Sequence, residues 1–204
     1  MPEKYFYSIK HRRTTTIKIK RSVFICSMEY VETINDAKNF ISKISKYNQT
    51  ATHNCWAYIT GEKGEIFHCS DAGEPSGTAG KPMLNTLQSY DMTNIAVVVT
   101  RHFGGVKLGV RGLIEAYSLS VKNTITLKKL GKLVQSINVC VQVSYEFNDT
   151  LLNLIKDSIL GIQKTDYSDK VVHTFKIELK DFKNLDKLLS EYQSRGMLKF
   201  NILE

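Results

Sequence analysis

The order of hydrophobic patterns in residues 132–204 limits the possible folds more than any other feature of the chain. Strand-type alternation occurs at Ile137–Tyr145 and Val171–Leu179, and an apolar stripe at helical spacing follows each strand. The turn Ser168-Asp169 separates the second of these strands from another before it, and Met197–Leu203 is a last strand. The order is therefore β-α-β-β-α-β, which predicts a ferredoxin-like C-terminal domain over 132–204.

Capping residues set the predicted helix ends in this domain. Asn148 and Asp149 are predicted to begin the first helix and Gly161 to stop it. Asp181 is predicted to cap the second helix, which Arg195-Gly196 closes. No nucleophile, base and anion site occur together here, so the interpretation is a packing or docking module.

Residues 1–131 have a different pattern, and Gly131, which ends a long helix, marks the predicted domain boundary. A helix is predicted to start at Thr33, with Asp36 completing a capping box. The β-branched run Asn94–His102 predicts a central strand. The predicted class is α+β with two domains; the other strands of the first are placed near Thr14–Lys20, Val23–Tyr30, Cys55–Thr60 and Glu65–Cys69.

Charge is distributed unevenly between the two halves. Residues 1–131 contain 18 Lys/Arg and 10 Asp/Glu, a balance of +8, whereas residues 132–204 contain 10 of each. A basic strip attracts polyanions, of which nucleic acid is the commonest, although such runs are also found as plain solvated surface. Seven of the basic residues lie in the opening 21 positions: Lys4, Lys10, Arg12, Arg13, Lys18, Lys20 and Arg21.

The remaining composition predicts a cytoplasmic protein with no membrane partner. No apolar stretch approaches the ~20 residues of a membrane helix. The N-terminus lacks the apolar region of a signal peptide. The four cysteines are widely spaced and form no CxxC pair, so they are interpreted as reduced thiols.

Two glycine-rich loops share one layout, in which a strand leads to a glycine turn with a cation and then to a helix. Glycine allows close approach of the backbone, and the amides at a helix N-terminus favour anions. The loops therefore predict one or two sites for phosphate or carboxylate, while the alternative is that the glycines only form tight turns. The candidate anion-binding residues are Gly77, Thr78, Gly80, Lys81, Arg101, Gly104, Gly105, Lys107 and Arg111.

Known catalytic versions of such loops do not fit these residues. A P-loop would need glycine at Pro75 and Ser or Thr at Pro82. Gly105 and Gly109 do not supply the spacing of a dinucleotide-binding loop. Ser76 lacks the glycine two residues earlier that a nucleophile elbow requires. No catalytic residue is assigned.

A smaller set of polar residues forms a possible second kind of site. His53, Asp71 and Glu74 could provide an acid–base group, or Asp71 and Glu74 could simply form the turn and helix entry. Zinc ligation is not expected, because the consecutive His68 and Cys69 point to opposite faces of a strand. Neither a metal nor a cofactor is predicted.

Two long segments and a shorter strand pattern closely resemble the YigZ/IMPACT family. They are Ser70–Leu84, with the run Gly73-Glu74-Pro75-Ser76-Gly77-Thr78-Ala79-Gly80-Lys81, the segment Val97–Gly109 followed by Gly112-Leu113-Ile114, and His53-x-Cys55-x-Ala57. The second half resembles the bacterial YigZ type. The chain departs from the family pattern at Ala72, where a second acidic or amide residue is usual, and at Val110 and Arg111, where small residues are usual.

The resemblance implies a fold and a class of partner. The first domain would have the left-handed βαβ topology of a ribosomal-protein domain-2-like fold, also found in the fourth domain of elongation factor G. Eukaryotic IMPACT relatives bind a translation-associated activator of a stress kinase. The resemblance therefore implies a non-enzymatic binding protein linked to translation, with RNA, the ribosome or a translation-associated protein as partner.

Two other functions remain open. The first is an enzyme acting on a small phosphorylated or carboxylated substrate held at the glycine loops. The second is a protein-interaction adaptor in which the loops only shape the fold. Fold analogy alone does not decide between them.

Overall fold

The computed structural model of this 204-residue chain describes residues 6–203. Contacts divide the chain into two compact units. The boundary along the chain lies between Leu133 and Val134, close to the predicted boundary at Gly131. Among the described residues, no helix combines the length and hydropathy that crossing a bilayer requires. The architecture is mixed α+β, with five helices in the described part of the chain.

The first unit contains a five-stranded sheet, a two-stranded sheet and three helices. Its elements are β1 Phe6–Ser8, β2 Arg13–Ile19, β3 Ser22–Tyr30, α1 Ile34–Tyr47, β4 His53–Thr60, β5 Ile66–Ser70, α2 Gly80–Ser89, β6 Ile95–His102, α3 Gly109–Thr126 and β7 Gly131–Leu133. The large sheet has the order β2-β3-β6-β4-β5, and all of its neighbouring strands are antiparallel. The prediction that β6 is the central strand is confirmed.

The large sheet separates two layers of helices. Helices α2 and α3 pack on one face through Met83, Leu87, Tyr117 and other apolar residues. Helix α1 packs on the opposite face, with Phe40 and other apolar side chains against the sheet. Strand β6 is buried along almost its whole length, as expected for a strand covered on both faces.

The start of α1 is as predicted. The Thr33 hydroxyl accepts a hydrogen bond from the Asp36 amide at 3.1 Å, and the Asp36 carboxylate accepts one from the Thr33 amide at 3.1 Å. These bonds satisfy two amide donors that a helix N-terminus otherwise leaves unpaired. The capping box is confirmed.

The C-terminal end of α3 is held by a residue of the basic strip, Arg13. The Arg13 guanidinium donates to the carbonyls of Ile125, Lys128 and Lys129 at 2.5, 2.9 and 3.0 Å. Arg13 is only 6% exposed, because β2 lies directly against α3. It therefore satisfies one carbonyl in the last turn of α3 and two in the segment that follows the helix, and it is not available to a polyanion.

The second unit has the predicted β-α-β-β-α-β order. Its elements are β8 Ser136–Val143, α4 Tyr145–Ile155, β9 Gly161–Tyr167, β10 Val171–Glu178, α5 Leu179–Ser194 and β11 Leu198–Leu203. The sheet has the antiparallel order β11-β8-β10-β9, and its core contains Val141, Leu151, Phe175, Leu189 and other apolar residues.

Three predicted helix ends in this unit are wrong. Helix α4 begins directly after Ser144, and Asn148 Oδ1 instead accepts a hydrogen bond from His173 Nε2 at 2.7 Å. Gly161 begins β9 and does not end α4. Asp181 lies in the first turn of α5, whose N-cap is Glu178; its charge still favours that end of the helix dipole.

Candidate functional site

The two glycine loops lie at the same edge of the large sheet. Strands β5 and β6 are each antiparallel to β4 and therefore run parallel to each other. Their carboxyl ends meet at one edge, where α2 and α3 begin. The β2–β3 turn, Lys20-Arg21, reaches the same edge, since Val23 is paired with His102. We call this region, formed by residues 20–21, 71–81 and 103–111, the glycine edge.

The first loop already contains an anion. One Asp71 oxygen accepts hydrogen bonds from the Ala79 and Gly80 amides at 2.9 and 2.8 Å, and the other accepts one from the Gly77 amide at 2.8 Å. Partial burial raises the pKa of Asp71, but the hydrogen bonds from the three amides together lower it by more, so the pKa lies below its ordinary value. The Gly77 and Gly80 amides, which were predicted to contact an external phosphate, are therefore already hydrogen-bonded to Asp71.

Thr78 is also engaged within the first loop. Its hydroxyl donates to the Pro75 carbonyl at 2.7 Å, and the residue is only 2% exposed. Gly80 is tightly packed, because a Cβ there would lie 2.8 Å from the Ser70 backbone. Lys81 alone of the predicted residues in this loop presents an exposed charge.

Arg101, which was predicted to contact phosphate, is buried and ion-paired. Its guanidinium donates to Glu74 at 2.6 Å, and the two side chains are 6% and 3% exposed. Because Glu74 belongs to the first loop and Arg101 to the end of β6, this ion pair ties the two loops together. Removing one partner of such a pair would leave an uncompensated buried charge.

A polar network extends from this ion pair into the core. The Tyr117 hydroxyl donates to Glu74 at 2.8 Å, and the Cys55 thiol lies 3.3 Å from that hydroxyl. Burial raises the pKa of Cys55 to about 12, and burial also raises the pKa of Tyr117. Both groups therefore stay protonated near neutral pH. His53 lies at the border of the network, with Nδ1 3.0 Å from the Ala72 carbonyl and Nε2 3.9 Å from Glu74.

This arrangement leaves little capacity for acid–base chemistry. Asp71 is occupied by three amides and Glu74 by Arg101 and Tyr117, so neither predicted carboxylate is free to exchange a proton with a bound substrate. Within residues 6–203, no group of three or more His, Cys, Asp and Glu side chains is placed to hold a metal ion.

The second loop is more open than the first. A Cβ at Gly104 would lie 1.9 Å from the Arg21 carbonyl oxygen, which explains why glycine is needed there. Gly105 and Gly109 have φ values of +82° and +75° and face open space. Within the described residues, no side chain caps the start of α3 at Leu108.

The exposed charge at the glycine edge is mainly positive. Lys107 is exposed, and Arg111 is exposed with one carboxylate partner, Glu115, at 3.0 Å. The turn adds Lys20 and Arg21, which the sequence analysis had placed only in the basic strip. The exposed cations of the glycine edge are Lys20, Arg21, Lys81, Lys107 and Arg111. The carboxylates of Asp71 and Glu74 are engaged in internal hydrogen bonds.

The structure thus divides the predicted basic strip. Lys20 and Arg21 join the glycine edge, whereas Arg13 is buried and Arg12 lies 3.9 Å from Glu29. Lys10 and Lys18 are exposed. Lys4 lies outside the described residues.

Phe103 is a residue of this edge that the sequence analysis missed. It is 44% exposed, and the Arg101 guanidinium lies 5.3 Å from the centre of its ring. An aromatic residue directly before the Gly104-Gly105 pair was the available signal, but its exposure depends on how β6 ends.

The second unit contains an open groove of about 630 Å³. It lies between the end of β8, the start of α4 and the end of α5, with Phe147, Lys170 and Lys199 in its lining. Its described lining residues all belong to 134–204, so this groove contains none of the predicted site residues.

Comparisons with known proteins agree with this architecture. IMPACT family member YvyE of Bacillus subtilis (strain 168) is 36% identical over 188 residues, which are 91% of this chain and 86% of that protein. IMPACT family member YigZ of Escherichia coli (strain K12) is 36% identical over 55% of this chain and 56% of that protein. Protein IMPACT of Xenopus laevis is 37% identical over 46% of this chain and 31% of that protein.

A solved structure and a family model complete the comparison. The structure, described as "Crystal structure of an hypothetical protein", has a TM-score of 0.62 and 26% identity over 99% of this chain and 98% of that chain. The model of the Impact N-terminal domain matches residues 20–125, which include the whole glycine edge. The chain belongs to the IMPACT family.

Proposed function

We propose that the protein binds RNA at the glycine edge and acts in translation or its regulation, without catalysing a reaction. The observation that carries the proposal is the convergence of Lys20, Arg21, Lys81, Lys107 and Arg111 on one edge of one sheet. Cations grouped in this way attract a phosphate backbone and position it. The α3 N-terminus adds backbone amides to the same surface.

The internal position of Asp71 refines the predicted binding mode. Asp71 accepts hydrogen bonds from the amides of the first loop, so that loop contributes Lys81 and a rigid shape to the proposed RNA surface. The second loop contributes the open backbone. Contacts to phosphate are therefore assigned to exposed cations on both loops and on the β2–β3 turn. Arg101 and Thr78 have supporting roles inside the edge.

The link to translation rests on the family resemblance. The same resemblance supports a ribosomal-protein domain-2-like fold for the first unit, in which α1 connects β3 to β4 and β6 lies between these two strands. It supports a ferredoxin-like fold for the second unit, whose sheet order β11-β8-β10-β9 corresponds to 4-1-3-2. We assign these folds to domains 1–131 and 132–204 of a cytoplasmic protein.

Fractionation of a cell lysate on a sucrose gradient tests this function. We expect the protein to sediment with ribosomes at low salt, to leave them at high salt, and to be released by ribonuclease. Salt dependence follows because each phosphate contact releases a condensed counterion. A protein that stays at the top of the gradient in both salts would contradict the proposal.

Charge reversal identifies the surface responsible. Lys107→Glu and Arg111→Glu should each weaken RNA binding, whereas Lys176→Glu, an exposed lysine of the second unit, should leave it unchanged. The binding constant of a fluorescently labelled RNA measures the effect. If Lys107→Glu and Arg111→Glu bind RNA as tightly as Lys176→Glu, the glycine edge is not the binding surface.

The enzyme alternative has weaker support. It needs Asp71, Glu74 or His53 as an acid–base group, and both carboxylates are engaged in internal hydrogen bonds. It predicts that a small phosphorylated or carboxylated metabolite stabilises the fold. A thermal-shift screen of such metabolites tests it, and a stabilising compound would favour the enzyme over the RNA-binding protein.

A further inference from the structure

We propose that Phe103 is a stacking platform for an unpaired nucleobase, so that the RNA held at the glycine edge is single-stranded there. This inference rests on the proposed function and specifies its ligand. Proteins that bind single strands combine cations along the backbone path with aromatic rings on which bases stack. The glycine edge has both.

The Phe103 ring is the outermost member of a column of four contacting side chains. The Arg101 guanidinium lies 5.3 Å from the Phe103 ring centre and 5.4 Å from the Phe24 ring centre. Phe24 in turn meets Tyr117 edge to face, with 5.3 Å between ring centres. Phe24, Arg101 and Tyr117 are buried, whereas Phe103 is 44% exposed. The column therefore presents one aromatic ring to solvent.

Several contacts fix the backbone that carries this ring, and the guanidinium beside it, before any ligand binds. The Phe103 amide donates to the Thr52 hydroxyl at 3.0 Å. The following residue, Gly104, is packed against the Arg21 backbone and donates to the Ser22 hydroxyl at 3.3 Å. Arg101, below the ring, is held by Glu74. A ring fixed in advance loses little conformational entropy when a base stacks on it.

The cations are placed for the phosphates that flank such a base. Phe103 directly precedes the second loop with Lys107, and Gly104 contacts the turn that contains Lys20 and Arg21. In a duplex the faces of the bases are covered by their neighbours. A stacking ring therefore selects a single strand or a loop, while the cations alone would accept either form. Arg101 is a positioning residue in this arrangement.

Binding of a single-stranded RNA and of the same sequence as a duplex tests the proposal in the full-length protein. Phe103→Ala should weaken single-strand binding about 5- to 150-fold, the range of one base stacked on an aromatic residue, and leave duplex binding unchanged. Phe103→Leu, which keeps an apolar cover over Arg101, should show the same loss, and Phe103→Tyr should restore binding. Phe67→Ala, at a ring of β5 that is 49% exposed, is the matched control and should have no effect.

The outcomes separate this inference from the proposed function. If Lys107→Glu weakens binding and Phe103→Ala does not, the stacking platform is wrong and the RNA-binding edge stands. If Phe103→Ala and Phe103→Leu weaken single-strand and duplex binding equally, the ring only supports the fold of the edge and the inference is overturned. If neither Lys107→Glu nor Phe103→Ala changes affinity, both proposals fail.

Discussion

At the scale of single residues, Asp71 is the most informative side chain of the glycine edge. Its carboxylate accepts hydrogen bonds from three backbone amides of the first loop, two of them at the start of α2. A negative charge at that position complements the helix dipole and satisfies donors that a helix start leaves unpaired. The loop is thereby closed by its own chain.

Replacing Asp71 tests this function in stability. Asp71→Asn keeps the size but offers one acceptor oxygen in place of two, so we expect the free energy of unfolding at pH 7 to fall by about 1–3 kcal/mol. Because the folded pKa of Asp71 is lowered, its contribution is complete above the unfolded value near 3.8 and is lost as pH falls through the folded value. Urea unfolding at pH 7 and pH 3 measures both effects. A difference between wild type and variant that does not shrink in acid would contradict the assignment.

The backbone of Ala72 is strained. Its φ is +44°, in the left-handed region that asparagine and glycine adopt more easily than alanine. We expect Ala72→Asn to raise the free energy of unfolding by up to about 1 kcal/mol, and Ala72→Val to lower it. Urea unfolding of the two variants measures this. An equal effect of both would show that the backbone conformation is not the cause.

At the scale of elements, the two ends of α3 differ in how they are held. The Ile125 carbonyl in its last turn and the Lys129 carbonyl just beyond it accept hydrogen bonds from the buried Arg13 of β2. The middle of the helix contributes Tyr117 to the polar network. Its first turn has no side-chain cap among the described residues and faces the open second loop. The helix is therefore anchored in the core at the end that is away from the proposed RNA surface.

Two adjacent arginines test the anchoring of α3. Arg13→Met should lower the free energy of unfolding by about 2–4 kcal/mol, since it leaves several partly buried carbonyls without their charged donor. Arg12→Met is the control, because Arg12 is exposed and its 3.9 Å pair with Glu29 should contribute less than about 1 kcal/mol. Urea unfolding of the two variants gives the comparison, and similar losses would contradict the capping role.

Local patterns predicted most elements but not the partners of polar residues. The capping box at Thr33, the central position of β6 and the order of the second unit follow from neighbouring residues and are confirmed. Asn148 has the chemistry of an N-cap, yet from within α4 it accepts a hydrogen bond from His173 on β10. The pairing of Arg101 with Glu74 joins residues 27 positions apart, so the sequence could identify both loops but not that this arginine is buried between them.

At the scale of the whole molecule, each unit has a hydrophobic core of its own. The cores of the first unit lie on both faces of its large sheet, and the second unit has one core between its sheet and its helices. The second core includes a buried histidine, His173, bonded to Thr165 and Asn148 at 2.8 and 2.7 Å.

His173 gives the second unit a dependence on pH. Burial lowers its pKa below the ordinary value of 6.5, so the folded state holds the neutral ring. As pH falls below 6.5 the unfolded chain binds a proton that the folded chain does not, and stability decreases. We expect the loss of thermal stability between pH 7.5 and 5.5 to be smaller in His173→Gln than in wild type. Equal losses would show that other groups cause the acid sensitivity.

The pairing of β1 with β7 has an evolutionary consequence. Tyr7 lies opposite Lys132, so the first and last described strands of the first unit are adjacent. A module with neighbouring entry and exit points can be spliced into another chain with little disturbance to its own fold. Such a module can therefore be joined to different neighbouring domains during evolution while its own fold stays unchanged.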